Sequence, residues 1–285
     1  MRLVINSKTF NVFISLGYRK YAGKWIADID HCKVVLRRLA HFHAFSMIIT
    51  RDANMSLLDL YPFAVDASTF REAYQSRVAI VKYELCRYLM ASSNDFMSKP
   101  RIEGCVIKEP DEVSTREQCD NKIERHLQEL LWRLIELRAQ PKEDKVRMCV
   151  LGHGCLDLRN IVFQYDETTG RPIACKFLDF STLTVASPVI DLTYFLHSSV
   201  VPELASHHHG FLLQIYHRSH LEAIESFGIY GYEMELEDLV NEYQLKQDYG
   251  AMMACLIKPA LYVLQCINAA KESGRSKRDS SSSTR

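Results

Sequence analysis

The chain has 285 residues, 47% hydrophobic and 25% charged, ordinary globular usage and enough for one large or two ordinary domains with a buried core. That excludes a small disulfide scaffold and a disordered, collagen-like or coiled-coil protein. Lys+Arg and Asp+Glu number 35 each, a formal net charge of +0, so no global field draws the protein to nucleic acid or an anionic membrane, and neither is expected as a partner.

The opening segment, with LVI and FNVFISLGY, is rich in β-formers and stops at Gly17, which predicts one short strand or a linker. From Asp28 or Asp30, either of which can cap, Val34, Val35, Leu39, Phe42 and Phe45 recur at helical spacing to about Ile49. The Phe42 and Phe45 pair has core-stripe spacing. A second helix is expected over about Ser68 to Met90. A third covers about Ser114 to Ala139, where Ser114 and Glu117 form a capping box. Lys99 to Asp111 reads as loop.

After Pro141 the period turns to β in VRMCVL, HGCLDLRN, IVFQY, the turn DETTGR and PIACKFLDF. If IVFQY and IACKFLDF pair antiparallel about that turn, Asn160 and Asp179 meet at one end of a hairpin. Ser187 and Pro188 supply N-cap and N1 for a helix carrying Asp191. Helices are then expected over 209–227, ending at Gly228, and over 235–247 and 250–271. The apolar stretch Gly250 to Cys266 is too short for a membrane span and is broken by Lys258, so it reads as buried helix. The last fifteen residues, KESGRSKRDSSSSTR, carry five basic and two acidic side chains and read as a solvated, disordered tail over 272–285. Nine cysteines, odd in number, without regular CxxC pairs or a secretory leader, point to reduced thiols and a cytoplasmic protein.

HGCLDLRN, FLDF and SPVIDLTYFL together have the layout of a phosphotransferase catalytic loop and metal site. There a carboxylate takes the proton of a weakly nucleophilic hydroxyl, while Mg²⁺, held by an Asn oxygen and an Asp carboxylate, neutralises the nucleotide phosphates. Asn160 and Asp179 fit the metal roles. The bland alternative is a turn-capping Asn and an Asp that accepts backbone bonds. His153 reads as a structural imidazole pinning the loop, and Asp191 as an inward carboxylate tying the loop to its helix.

The residues HCKVVLRRLAHFHAFS, VLGHGCLDLRNIVFQYD, CKFLDFS, ASPVIDLTYFL, FLLQIYHRSHLEAIESFG and YGAMMACLIKPALYVL resemble the ecdysteroid kinase-like (CHK kinase-like) family, relatives of choline kinase and aminoglycoside phosphotransferases common in insects. The resemblance implies an α+β, protein-kinase-like fold, mainly its helical C-terminal lobe with a central β-hairpin. It implies residues 1–20 as a strand or linker remnant of the N-terminal lobe and 21–271 as the C-terminal lobe. It also implies ATP and Mg²⁺ as cofactors and a small lipophilic hydroxyl-bearing molecule, such as an ecdysteroid, as acceptor.

Two departures stand against activity. The family loop resembles HGD, four residues and Asn, whereas Cys155 stands at the base position; a thiol with an ordinary pKa of about 8.5 is mostly protonated at neutral pH. An independent small lobe needs roughly fifty residues or more, and only about a dozen precede the linker-like part, so no nucleotide-binding residue is assigned. Asp157 is the candidate substitute base, though two positions along an extended loop changes a side chain's direction. The leading expectation is therefore an inactive or truncated family member. The alternative is a non-catalytic protein that binds a hydrophobic small molecule or a protein partner. His207, His208 and His209, with His217 and His220, read as an exposed helix entry and not a metal site, and His41 and His43 as packing or surface residues.

Overall fold

Helix formation begins where the sequence supplies a cap. Asp28, in extended backbone, accepts from the N–H groups of Asp30 and His31 and starts α1, Ile29–Ala53. Cys32, Val35, Leu36, Leu39, Ala40 and His43 line its buried face at helical spacing. The helix runs a turn beyond the expected end because Asn54 stops it in left-handed backbone, φ 50°. A short helix α2, Leu57–Leu60, follows, capped by Ser56.

This computed structural model describes residues 16–22, 26–62, 64, 75, 78, 79, 82, 116–138, 148–230 and 234–256. The expected helix at 68–90, except for a few positions, the loop at 99–111, Ser114 and the tail all lie outside them. The chain packs as two units: Met1–Phe70 with Leu134–Ala254, and Arg71–Arg133 with Cys255–Arg285. The second holds most of α3, Arg116–Arg138, on which Leu127 and Leu131 are buried, and Lys82 pairs with Glu124 at 2.6 Å.

In the first unit the strand or linker expected up to Gly17 lies, but for Leu16 and Gly17, outside the described residues, and β1, Tyr18–Lys20, starts just after it as an edge strand on the hairpin. The sheet order is β1-β3-β4, with β3 Ile161–Tyr165 and β4 Pro172–Phe177 antiparallel. Asp166 shapes their turn by accepting from Thr168 and Thr169, and Gly170 takes φ +67° there. A second antiparallel pair joins β2, Val150–Gly152, to β5, Thr184–Ala186.

Helix α4, Val189–Ser199, has Pro188 and not Ser187 at its N-cap position, one residue later than expected, and the Ser187 hydroxyl accepts from Val189 N–H at 3.2 Å. Helix α5, Pro202–Ser226, starts earlier than expected, with Pro202 in its first turn and Gly228 closing it. His207 and His208 are thus exposed within a helix and not at its entry. The sheet face and α5 sandwich α1: Ala44 and Ile48 pack on Ala223, Ile224 and Ile229. The result is an α+β architecture. No helix among the described residues is long and apolar enough to cross a membrane.

Two sequence expectations are corrected. Phe42 and Phe45 share a helix face, but it is core only at Phe42, which packs against Leu57, Leu151 and Leu183, whereas Phe45 is 53% exposed. The last helices are not broken near Gly250; one helix, α6, runs over 236–256. Glycine there serves close approach, since a Cβ would lie 2.3 Å from the Thr193 carbonyl oxygen and 2.6 Å from His197 Nδ1. Gly250→Ala therefore separates the two accounts. As a helix breaker the glycine would be improved by alanine by about 1 kcal/mol, whereas the overpacking at α4 predicts a loss of about 1–3 kcal/mol. Urea unfolding of the two proteins reads the sign.

Candidate active site

The loop from Gly152 to Asn160 is organised from below by one carboxylate. Asp191, in the first turn of α4 and 1% exposed, accepts from the N–H of His153 (Oδ2, 2.6 Å) and of Gly154 (Oδ1, 2.8 Å). His43 on α1 reaches the same carboxylate through Nε2 at 3.2 Å, and its Nδ1 lies 2.8 Å from the Tyr216 hydroxyl on α5. Burial works against the Asp191 charge, but the His43 hydrogen bond and charge, with His153 and the Gly154 N–H, hold its pKa below the ordinary value. The expected tie between loop and helix is present. His43, expected as a packing or surface residue, is buried and is one of its anchors, and its only signal in the sequence is a polar residue on the apolar stripe of α1.

His153 carries the tie onward. Its Nε2 lies 2.8 Å from the Leu178 carbonyl oxygen, and its Nδ1 accepts from Cys155 N–H at 3.3 Å. One nitrogen donates and the other accepts, so the ring is neutral with its proton on Nε2. Burial depresses its pKa, against the pull of Asp191. Gly154 has φ +77°, and a Cβ there would overlap the Thr182 carbonyl oxygen at 2.0 Å, so only glycine fits.

Asn160 closes the loop. It ends a 3₁₀ turn, Leu158–Asn160, capped by Asp157, and its carbonyl accepts from Leu178 N–H at 2.8 Å, next to the first hairpin pair, Ile161 with Phe177. Asp179 is therefore beside Asn160 at one end of the hairpin. The Asn160 amide nitrogen donates to the Cys155 carbonyl at 2.9 Å, which fixes the amide and turns the duty of a ligand onto Oδ1. Asp179 is exposed, in left-handed backbone at φ 59°, a position that costs a non-glycine residue on the order of 1–3 kcal/mol. Its Oδ1 accepts from the Ser181 hydroxyl at 2.6 Å and, at 3.4 Å, from Ser181 N–H. An amide oxygen and a carboxylate at one hairpin end are hard donors of the kind Mg²⁺ takes.

The remaining loop residues are occupied differently. Cys155 is 3% exposed, and its Sγ lies 3.3 Å from the Tyr194 hydroxyl. Asp157 is buried and forked by Arg159, with Nε to Oδ1 at 2.8 Å and NH2 to Oδ2 at 2.5 Å. Tyr194 donates to Asp157 Oδ2 at 3.3 Å. Burial opposes the Arg159 charge, yet Asp157 holds the guanidinium protonated above its ordinary value. Neither Arg159 nor Tyr194 was singled out from the sequence. Arg159 was legible two positions from Asp157, whereas Tyr194 is brought in only by the packing of α4.

The sequence profile of the ecdysteroid kinase-like family matches residues 13–229. The chain belongs to the ecdysteroid kinase-like family. The α+β kinase-like fold that the sequence led us to expect is thereby shown. No curated protein and no solved structure matches it. Among the described residues no group of three or more His, Cys, Asp and Glu side chains could hold a metal ion; the Asn160 and Asp179 pair is of another composition. His207, His208 and His209 gather no such group, and His217 instead bonds the Met234 carbonyl at 2.6 Å.

Two predictions follow from the loop. Gly154→Ala loses stability by at least about 2 kcal/mol, from left-handed strain plus a main-chain clash, measured by urea unfolding, whereas Gly170→Ala, with open space around it, loses only the left-handed part. The pH dependence has a definite sign. His153 and His220 both have folded pKa values below the ordinary 6.5, His220 at about 3 through burial and then its neighbours His43 and His217. The unfolded chain thus takes up protons that the folded one refuses. Their contribution is full above pH 6.5 and is lost below it, at up to about 1.4 kcal/mol per pH unit for each group. Asp191, a lowered carboxylate, is fully effective above about pH 4 and loses its share only as pH falls through its folded value. Between pH 7.5 and 5.5 the decline is the work of histidines, and His220→Phe flattens it; an unchanged slope in the urea midpoint would sink this assignment.

Proposed function

We propose that this chain is a member of the ecdysteroid kinase-like family that keeps the metal-holding pair at Asn160 and Asp179 but has lost phosphate transfer. The family reaction is ATP-dependent phosphorylation of a hydroxyl on a small molecule such as an ecdysteroid. In that reaction Asn160 Oδ1 and the Asp179 carboxylate would hold Mg²⁺, which supplies charge neutralisation of the ATP phosphates. The residue at position 155 would accept the proton of the acceptor hydroxyl.

A single observation carries the reading. At position 155 stands a buried thiol bonded to Tyr194, and the one acidic side chain of the loop, Asp157, is buried in a fork with Arg159. For Asp157 to take a proton from an acceptor it would have to leave Arg159 and cross from its cap position. Loss of the general base alone removes about 10²–10⁴ in rate. A second reading, binding of a hydrophobic small molecule without transfer, is favoured by a cleft lined with aromatic side chains on the same unit, whose Phe177 and Phe180 rings border the His153 ring.

The test uses purified full-length chain, Mg·ATP and a panel of ecdysteroids and other lipophilic alcohols. The wild type shows no transfer above background, and Cys155→Asp combined with Asp157→Asn gains at least about 100-fold over it. The second substitution avoids two carboxylates around one Tyr194 hydroxyl, and Arg159, close enough to feel the charge at position 155, stays compensated. Wild-type turnover that Asp179→Ala abolishes would overturn the loss of transfer. No gain in the double variant would remove Cys155 as its cause.

A further inference from the structure

Helix α5 meets α1 along one stripe, Tyr216, His220, Ala223 and Ile224, set at helical spacing, and the character of the contact changes along it. At Tyr216 it is polar, with the hydroxyl 2.8 Å from His43 Nδ1. At Ala223 and Ile224 it is apolar, against Ala44 and Ile48. Beyond the end of α5, Arg51 of α1 donates to the Phe227 and Gly228 carbonyls at 3.1 and 3.3 Å. Between the polar and the apolar stretch stands His220. It is 2% exposed, and its ring lies against that of Tyr216, with centroids 5.9 Å apart and planes at 24°. Its Nε2 finds no hydrogen-bond partner among the described residues. A buried polar atom left unpaired is costly and uncommon in native proteins, so packing alone does not account for an imidazole at this place.

The surroundings of His220 refuse it a proton. Burial opposes a positive charge on the ring, and so do His43 from α1 and His217 on its own helix, which together bring its pKa down to about 3. Asp191, the buried acid of this network, is already taken by His43 and two loop N–H groups. Arg51, at the far end of the seam, is itself a cation, and the flanking Arg218 and Glu222 of α5 are exposed. His220 can therefore gain a proton only where water reaches it, and that requires α5 to part from α1.

We propose that His220 is an acid-sensitive latch on the seam between α1 and α5: as pH falls the seam opens locally from Tyr216 to Ile224, while the β3–β4 hairpin stays folded. In the open state the imidazole titrates at its ordinary value of about 6.5, so each pH unit below that multiplies the open population by up to about ten. Opening parts Tyr216 from His43 and bares Ala44, Ile48, Ala223 and Ile224. Phe45 of α1 and Phe227 after α5 border one cleft, so the same movement changes the width of that cleft. The device acts through the packing of two helices and requires neither phosphate transfer nor a bound ligand.

Hydrogen exchange of the full-length chain, followed by mass spectrometry at pH 7.5 and 5.5 with exchange times scaled for the intrinsic pH dependence, tests the latch. Peptides from the facing parts of α5 and α1 are less protected than those of the hairpin, and they lose about tenfold in protection between the two pH values. His220→Phe, which keeps a ring against Tyr216, and His220→Gln, which stays uncharged, each remove that loss; the second serves where the first does not fold. Retention of the loss in a folded His220 variant overturns the proposal. Seam peptides that exchange at the protection of the hairpin also overturn it, because the opening is then global. So does a wild-type seam whose protection does not change with pH.

Discussion

The buried Asp191 carboxylate is the constraint from which the rest of the site is built. It stands at the start of α4, out of water, and it is kept ionised by two main-chain N–H groups of the loop and by His43. Hydrogen bonds to a charged group are worth about 1.5–3 kcal/mol each, and a buried charge without them is worth a larger penalty. The loop therefore cannot leave the helix without exposing the chain to that cost. Gly152 and Gly154 are the corollary: a Cβ on the first would press on Asp191 Oδ2 at 3.0 Å, and the second must turn through φ +77° for both N–H groups to face one carboxylate.

From that anchor the order passes outward in short steps. His153 is set by its own N–H on Asp191 and sets in turn the end of β4 through the Leu178 carbonyl. Leu178 pairs with Asn160, and Asn160 fixes the Cys155 carbonyl. His43 and Tyr216 bring α1 and α5 into the same network, so four elements distant in sequence share one electrostatic centre. Asp179, with its strained backbone and exposed carboxylate, lies at the outer end of this chain of contacts. Strain is tolerated there because everything behind it is fixed.

Much of this was legible because it is local. The hairpin follows from two β-rich runs around DETTGR, and the cap at Asp28 and the tie at Asp191 follow from residue type and spacing. The misreadings share a cause. Gly250 reads as a break in one dimension and is a contact in three, because the Thr193 carbonyl that demands it lies 57 positions away in sequence. The face of α1 carrying Phe42 and Phe45 has the period of a buried stripe, and only the placement of β4 and α5 decides that at Phe45 it borders open space. His43 could not be told from a surface histidine until Asp191 and Tyr216, 148 and 173 residues further on, arrive beside it.

Cys155 and Asp157 are best understood as one change. Tyr194 has a single hydroxyl proton, and both side chains lie 3.3 Å from that hydroxyl. A carboxylate at position 155 beside an ionised Asp157 would put two buried like charges around one donor, an arrangement in which one of them must stay protonated. With a thiol at 155 the conflict vanishes: Asp157 keeps its charge for Arg159, and the neutral sulfur fills the space against Tyr194 at little desolvation cost. The loop gains a stable ion pair in the place where the family reaction asks for a mobile proton. The anchoring of the loop by Asp191 is untouched by that exchange, because it acts through main-chain N–H groups that any side chain at 155 would leave in place. The architecture of the loop therefore does not depend on whether the side chain at 155 can take a proton.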